Sequence, residues 1–507
     1  MIGSTPRAII ESDLGTLDLF IIFGYLAGVV AAGAWFGRRQ QSTSQFFFAG
    51  KRVPWWAISA SIVATETSTV TFISVPGIAY ARGGNFTFLQ LVFGYLIGRV
   101  VISVLFIPSY FQGEISTVYE LLQGRFGLRV KALAASLFIV MRTIADGVRL
   151  LLTAIVLAAV FRAFSVTSSI ESAIAASIIL IGIVMIIFTF FGGIEAVVWI
   201  EVVQLGIYIA GAIAAAIVLT NRIPGGLEAA LALGAVHGKF RVLDFAFDMT
   251  RTYVFWAGVI GGAFLTMSTH GTDQYMVQRY LCTDRPRKAV LALLSSGAVI
   301  VVQFVGFLFI GVLLFAFYRP DRAAGYASGV AAAPFTAPDQ VFPDFITHHL
   351  PTGLAGLVIA AIFAAAMSSS LSSIASTAVS DLYRPLVGDR SDGHYMKVSR
   401  LVILLAGVAQ IVVALAMGQQ ARSAVDTALS VASLFNGPIL GVFLLAAVRR
   451  GGPSAALAGM FSGIAVVLAL RFGTAVAWPW YTVFGSLTTL AAGSVAAMMT
   501  RSEERTT

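Results

Sequence analysis

The chain is built largely of apolar stretches about twenty residues long, the length that crosses a bilayer as a helix. Windows of about 19 residues divide it into about thirteen such stretches. They cover residues 17–36, 55–79, 86–109, 133–161, 170–191, 194–219, 252–275, 289–317, 352–383, 398–417, 425–448, 455–472 and 478–499. Only 11% of the 507 residues are charged and 58% are hydrophobic, whereas a soluble domain carries about a quarter charged. The expected fold is therefore an all-α polytopic membrane protein of about 13 transmembrane helices.

An odd number of spans puts the termini on opposite sides. With the N-terminus outside, 19 of the 33 Lys and Arg fall in cytoplasmic segments and 11 in outer ones. That asymmetry favours N-out, C-in and explains the net charge of +9 without nucleic acid. The opening MIGSTPRAIIESDLG has no basic region leading into an apolar core, so no cleavable signal is expected, and only Thr500–Thr507 follows the last span. A single cysteine, Cys282, excludes an internal disulfide framework. The five histidines have no metal-ligand spacing, so no transition-metal site and no enzyme chemistry are expected.

Three polar clusters interrupt the apolar spans. ATETSTVTF, Ala64–Phe72, sets Glu66 and several hydroxyls at mid-span, where a carboxylate is costly and reads as functional. Either the helix breaks and its carbonyls line a cavity, or Glu66 pairs with a nearby arginine while the threonines glue helices together. In AAAMSSSLSSIAST, Ala364–Thr377, residues Ala366, Ser369, Ser370 and Ser373 share a helical face. Several neutral oxygens suit a hard monovalent cation, and the same small residues suit a packing seam. In LFIVMRTIADGVRLLL, Arg142, Asp146 and Arg149 share a face. They form either a self-neutralising packing triad or a site with one guanidinium free for a substrate carboxylate.

With FFFAGKRVPWWAISASIVATETSTVTFIS, FFGGIEAVVWIEVVQ and STHGTDQYMVQRYL in order before the serine-rich helix, the chain resembles the sodium/solute symporter family. The resemblance implies the inverted five-helix repeat of the leucine-transporter class. One extra helix would lie in residues 1–36, a ten-helix transport core in 37–450, and two final helices with a short tail in 451–507. The first core helix would hold ATETSTVTF. Its inverted mate would start near Thr252, with Gly258, Gly261 and Gly262 permitting a second break.

Carried over by residue, the resemblance implies a sodium site of backbone oxygens near Ala64 and Thr67 with Ala366, Ser369 and Ser370, or with Ala365, Ser368 and Ser369 when AAAM rather than SSL is matched. A second sodium would involve Glu201, where the family has Asp, with Ser369, Ser372 and Ser373; Glu201 could instead pair with a cytoplasmic arginine. Glu66 stands where relatives carry Asn or Asp. It could bind cation, pair with Arg142 or Arg149, or titrate and couple protons. Ser68, Gln90, Arg142, Asp146, Arg149, Phe72, Phe255 and Trp256 complete the substrate and gating candidates.

The expected function is sodium-coupled symport of a small polar organic solute by alternating access, in the bacterial inner membrane. Sodium serves as the coupling ion, with no other cofactor. The arginines, and Gln90 where a sugar-binding branch has Glu, favour an organic anion such as a monocarboxylate or sialic acid. The competing expectations are proton coupling, a neutral sugar substrate, and a membrane sensor.

Overall fold

A computed structural model describes residues 14–38, 40, 42–113, 115–164, 169–322, 335, 337–367, 370–417, 424–449 and 451–506. Helices account for nearly all of them, and there is no strand among the described residues. The main helices are α1 (Thr16–Gly37), α2 (Trp55–Glu66), α3 (Thr69–Tyr80), α4 (Leu89–Leu105), α5 (Leu128–Ala163), α6 (Ile170–Arg222) and α7 (Gly226–Val236). They continue as α8 (Gly262–Gly271), α9 (Gln274–Leu281), α10 (Pro286–Tyr318), α11 (Val341–His349), α12 (Leu354–Met367) and α13 (Leu371–Thr377). The last four are α14 (Asp392–Met417), α15 (Ala424–Ala447), α16 (Pro453–Gly473) and α17 (Pro479–Thr506).

Among the described residues, seven helices are each long and apolar enough to cross a membrane, and the α2–α3 pair, bent by 58°, makes an eighth span. The sequence suggests more spans because several are not single apolar helices. The 53 residues of α6 would extend about 80 Å if straight, far more than a bilayer core. Gly193 interrupts them with φ 57° and ψ −166°, where a side chain would also meet the Phe46 carbonyl. The span 257–281 is divided between a π-helical turn, α8 and α9.

Two groups of helices face each other. α2, α3, α4, α8 and α10 pack together, as do α5, α6, α12, α13 and α14, and α2 and α10 lie against α6. The broken pair α2–α3 and the helix α8 belong to the first group, and α9 contacts both α2 and α13.

The second break is not at the glycines. Gly258 and Gly261 lie in the π-helical turn Ala257–Gly261 and Gly262 opens α8. A Cβ on Gly258 would stand 2.8 Å from the Gln90 carbonyl carbon, and one on Gly262 2.6 Å from the Leu91 oxygen. These glycines permit close approach to α4 rather than a bend. The chain breaks instead at Thr272 and Asp273, where Asp273 is extended (φ −100°, ψ 120°) and caps α9 by accepting from the Tyr275 N–H.

Candidate functional site

ATETSTVTF is a helix break. Thr67 (φ −82°, ψ 55°) and Ser68 (φ −62°, ψ 165°) leave helical geometry between α2 and α3. Local hydroxyls make the exit possible by occupying backbone acceptors. Thr67 donates through its N–H and its hydroxyl to the Val63 carbonyl, and Thr71 donates to the Glu66 carbonyl. The carbonyls of Ala64 and Thr65 receive no hydrogen bond among the described residues. Gln303 Oε1 of α10 lies 2.8 Å from the Thr67 hydroxyl.

The serine-rich segment lies opposite this break. The Thr69 hydroxyl donates to the Ile362 carbonyl of α12 at 3.0 Å, which brings the start of α3 beside the turn that precedes Ala366. Ser370 is fully buried, and both its N–H and its hydroxyl donate to Asp146. Ser372 accepts from Gln278 at 3.1 Å, and Ser373 donates to the Ser370 carbonyl at 2.8 Å. Ser369 lies outside the described residues, and Ala366 is described by its backbone alone.

Buried ion pairs connect these elements in a pattern that differs from the expected one. Glu66 pairs with neither Arg142 nor Arg149. Both of its carboxylate oxygens lie within 2.6 Å of Arg99 Nη2 on α4, and its Oε1 is 2.7 Å from His270 Nε2 on α8. The Arg142–Asp146–Arg149 triad does not close on itself either. Arg142 pairs with Asp273 at the second break and lies 4.7 Å over the Tyr275 ring, while Arg149 stays 3.5 Å from Asp146. Helical spacing gave the residues one face, and a facing element then supplied Arg142 with another partner.

Glu201 is bound by an arginine near the end of α9. Its Oε1 is 2.6 Å from Arg279 Nη2 and accepts from Thr65 at 2.9 Å, and the Ser61 hydroxyl donates to its other oxygen. Ser372 and Ser373 have the other partners named above.

The remaining candidates are dispersed. Phe72 is fully buried among Tyr208, Phe307 and Phe342. Ser68 precedes α3, and its carbonyl accepts from Phe72. Phe255 packs between Phe245 and Trp256, and Trp256 is 40% exposed. Gln90 is buried; it donates to the carbonyls of Thr87 and Tyr253 and accepts from the Asp244 N–H. It thereby ties α4 to loop 237–253. Beside this loop a cavity of about 620 Å³ is lined by residues including Ser74, Gly77, Arg82, Thr87, Arg241 and Arg251.

The profile of the sodium:solute symporter family matches residues 46–463. The chain belongs to that family. It is a transporter, not an enzyme, and its activity is sodium-coupled solute symport. The sodium/sialic acid symporter SiaT of Proteus mirabilis (strain HI4320) is 31% identical over 503 residues, which span 96% of this chain and 95% of that protein. The sodium/sialic acid symporter NanT of Aliivibrio fischeri (strain ATCC 700601 / ES114) is 30% identical over 501 residues, 96% and 94% of the two chains. Among solved structures, a sodium-coupled sialic acid symporter in a substrate-bound, outward-open state superposes with a TM-score of 0.84 at 30% identity, covering 96% of this chain and 98% of the other. The fold is the inverted repeat of the leucine-transporter class.

In this symporter, Arg99, His270, Asp273 and Arg279 were not among the sequence candidates. Each is an ionisable residue inside a hydrophobic span or at its end, a position that requires a partner. That requirement was legible; the partner's identity was not.

Proposed function

We propose that this symporter carries a small organic anion of the sialic acid or monocarboxylate class into the cell with sodium. Sodium sits between the α2–α3 break and the serine-rich segment, held by Ala64, Thr67, Ala366, Ser369 and Ser370. The observation that carries this reading is the break itself: it releases the Ala64 carbonyl, and the Thr69 bond to Ile362 holds the break against α12. Full-length likeness to two sialic acid symporters supports the anion class, as do the two arginines on α5. Arg142 Nε has no hydrogen-bond partner among the described residues, and Arg149 keeps only a 3.5 Å approach to Asp146. These donors suit a carboxylate.

The extra helix lies within residues 1–36, the transport core within 37–450, and the two final helices with a cytoplasmic tail within 451–507. The N-terminus lies outside the bacterial inner membrane. Alternating access moves the two helix groups against each other, and each ligand favours the state that binds the other. The second sodium at Glu201, Ser372 and Ser373 requires Glu201 to leave Arg279.

The test is thermal stabilisation of purified protein by sialic acid, lactate and glucose, each in NaCl and in KCl. Stabilisation by a carboxylate in NaCl alone is expected. Stabilisation by glucose and by neither carboxylate overturns the anion assignment. A second reading, proton coupling, is favoured by one observation, the buried contact between His270 and Glu66. Uptake driven by separate sodium and proton gradients distinguishes the two.

A further inference from the structure

Asp146 on α5 is 4% exposed, and its carboxylate meets Ser370 twice. Oδ2 accepts from the Ser370 N–H at 2.8 Å and from the Ser370 hydroxyl at 2.6 Å. In an unbroken helix that N–H would bond the Ala366 carbonyl four residues back. Directed at Asp146 instead, it leaves that bond to the Ala366 carbonyl unmade. The hydroxyl has one proton and two lone pairs. With the proton held by Asp146, both lone pairs are left for another partner. One carboxylate from a different helix thus prepares two oxygens of the proposed sodium site.

The same face of α5 also reaches the other half of that site. Thr153, seven residues beyond Asp146, has its hydroxyl 3.1 Å from that of Thr69 at the start of α3. Asp146 Oδ1 has no hydrogen bond among the described residues, and its neighbouring cation, Arg149, is 3.5 Å away. The carboxylate therefore retains an oxygen that is not tightly held, beside neutral oxygens that a sodium ion would occupy.

We propose that Asp146 is a positioning residue for sodium. It holds Ser370 so that the hydroxyl lone pairs and the Ala366 carbonyl are free for the ion, and its charge offsets that of sodium. A hydroxyl that donates to a carboxylate is a better cation ligand, by the logic through which outer partners tune metal ligands. The inference rests on the sodium site proposed above. It gives Asp146 a role distinct from neutralising Arg142, which pairs with Asp273.

The experiment titrates NaCl against KCl at constant ionic strength and records the melting temperature of the full purified chain, since an ion bound only by the folded state raises it. Asp146→Asn is expected to raise the half-stabilising sodium concentration about 10- to 100-fold, with a smaller rise for Asp146→Glu. Ser370→Ala should also raise it, and Asp146→Asn combined with Ser370→Ala should raise it by less than the product of the single effects, because the two share the oriented hydroxyl. A merely structural role would lower the melting temperature in KCl and leave the sodium midpoint in place. If Ser370→Ala leaves the midpoint unchanged, the sodium site itself is misassigned. If Ser370→Ala raises it while neither Asp146 variant does, the site stands and the role of Asp146 is overturned. Additive effects of the two substitutions also overturn it.

Discussion

Glu201 and Arg279 form an ion pair 2.6 Å long in which each side chain is 1% exposed. The pair joins α6, in one helix group, to α9, which continues the broken span of the other. Arg279 lies near the far end of that span from Arg251 and Tyr253, which line the 620 Å³ cavity. The pair thus lies toward the end of that span remote from the cavity. Removing one partner of a buried pair costs about 3–5 kcal/mol, because the other charge stays buried. Glu201→Gln and Arg279→Gln should each lower the melting temperature strongly. The double variant should lose less than the sum, as measured by a double-mutant cycle; strict additivity would contradict the pairing.

Glu66 has both oxygens committed to Arg99, with His270 alongside. These partners lie on α4 and α8, so Glu66 braces the first break to the helix that leads into the second. Glu66→Gln is expected to lower the melting temperature in NaCl and KCl alike and to leave the half-stabilising sodium concentration within about threefold, since pair-breaking acts on the fold. Loss of the sodium response at an unchanged melting temperature in KCl would instead make Glu66 a cation ligand.

The clamp on loop 237–253 should respond to acid. Burial raises the pKa of Asp244, but the Ala246 N–H and the Arg251 and Arg241 guanidinium groups outweigh it and hold the carboxyl below its ordinary value. A carboxyl depressed in the folded state adds stability above its unfolded pKa of about 4. That contribution is lost as the pH falls through the lower folded value. Between about pH 5 and pH 3, the wild-type protein should therefore lose more melting temperature than Asp244→Asn. Parallel curves would show that the clamp contributes nothing.

Arg142 and Arg149 can be separated from the sodium site by their effect on solute. Lysine keeps the charge and loses the planar donor fork. In sialic acid uptake, Arg142→Lys or Arg149→Lys should raise KM about tenfold or more, the scale of one lost charge-assisted hydrogen bond. The sodium midpoint should stay in place. If both leave KM unchanged, these arginines do not bind the solute.

The hydroxyls and carboxylate at mid-span left two readings open, a helix break and an arginine pair, and the structure has both: the helix breaks at Thr67 and Ser68, and Glu66 pairs with Arg99. In the serine-rich segment spacing alone leaves a cation site and a packing seam open, because both want small residues on one face. The second break was misjudged because glycine serves two physical ends, bending and close approach, and Gly258 and Gly262 serve the second against α4. Ion pairing was the least legible. Arg99 lies 33 residues from Glu66, and Asp273 lies 131 from Arg142. Local spacing favoured Asp146 as the partner of Arg142, and only the packing of α5 against α9 and α13 redirected both side chains.

The central claim is that a sodium gradient drives this transporter. Liposomes containing the purified protein, given an inward sodium gradient at equal pH, should accumulate labelled sialic acid above its external concentration, and replacing sodium by potassium should abolish the accumulation. Accumulation driven by a proton gradient in sodium-free potassium buffer, with none from sodium alone, would contradict the account.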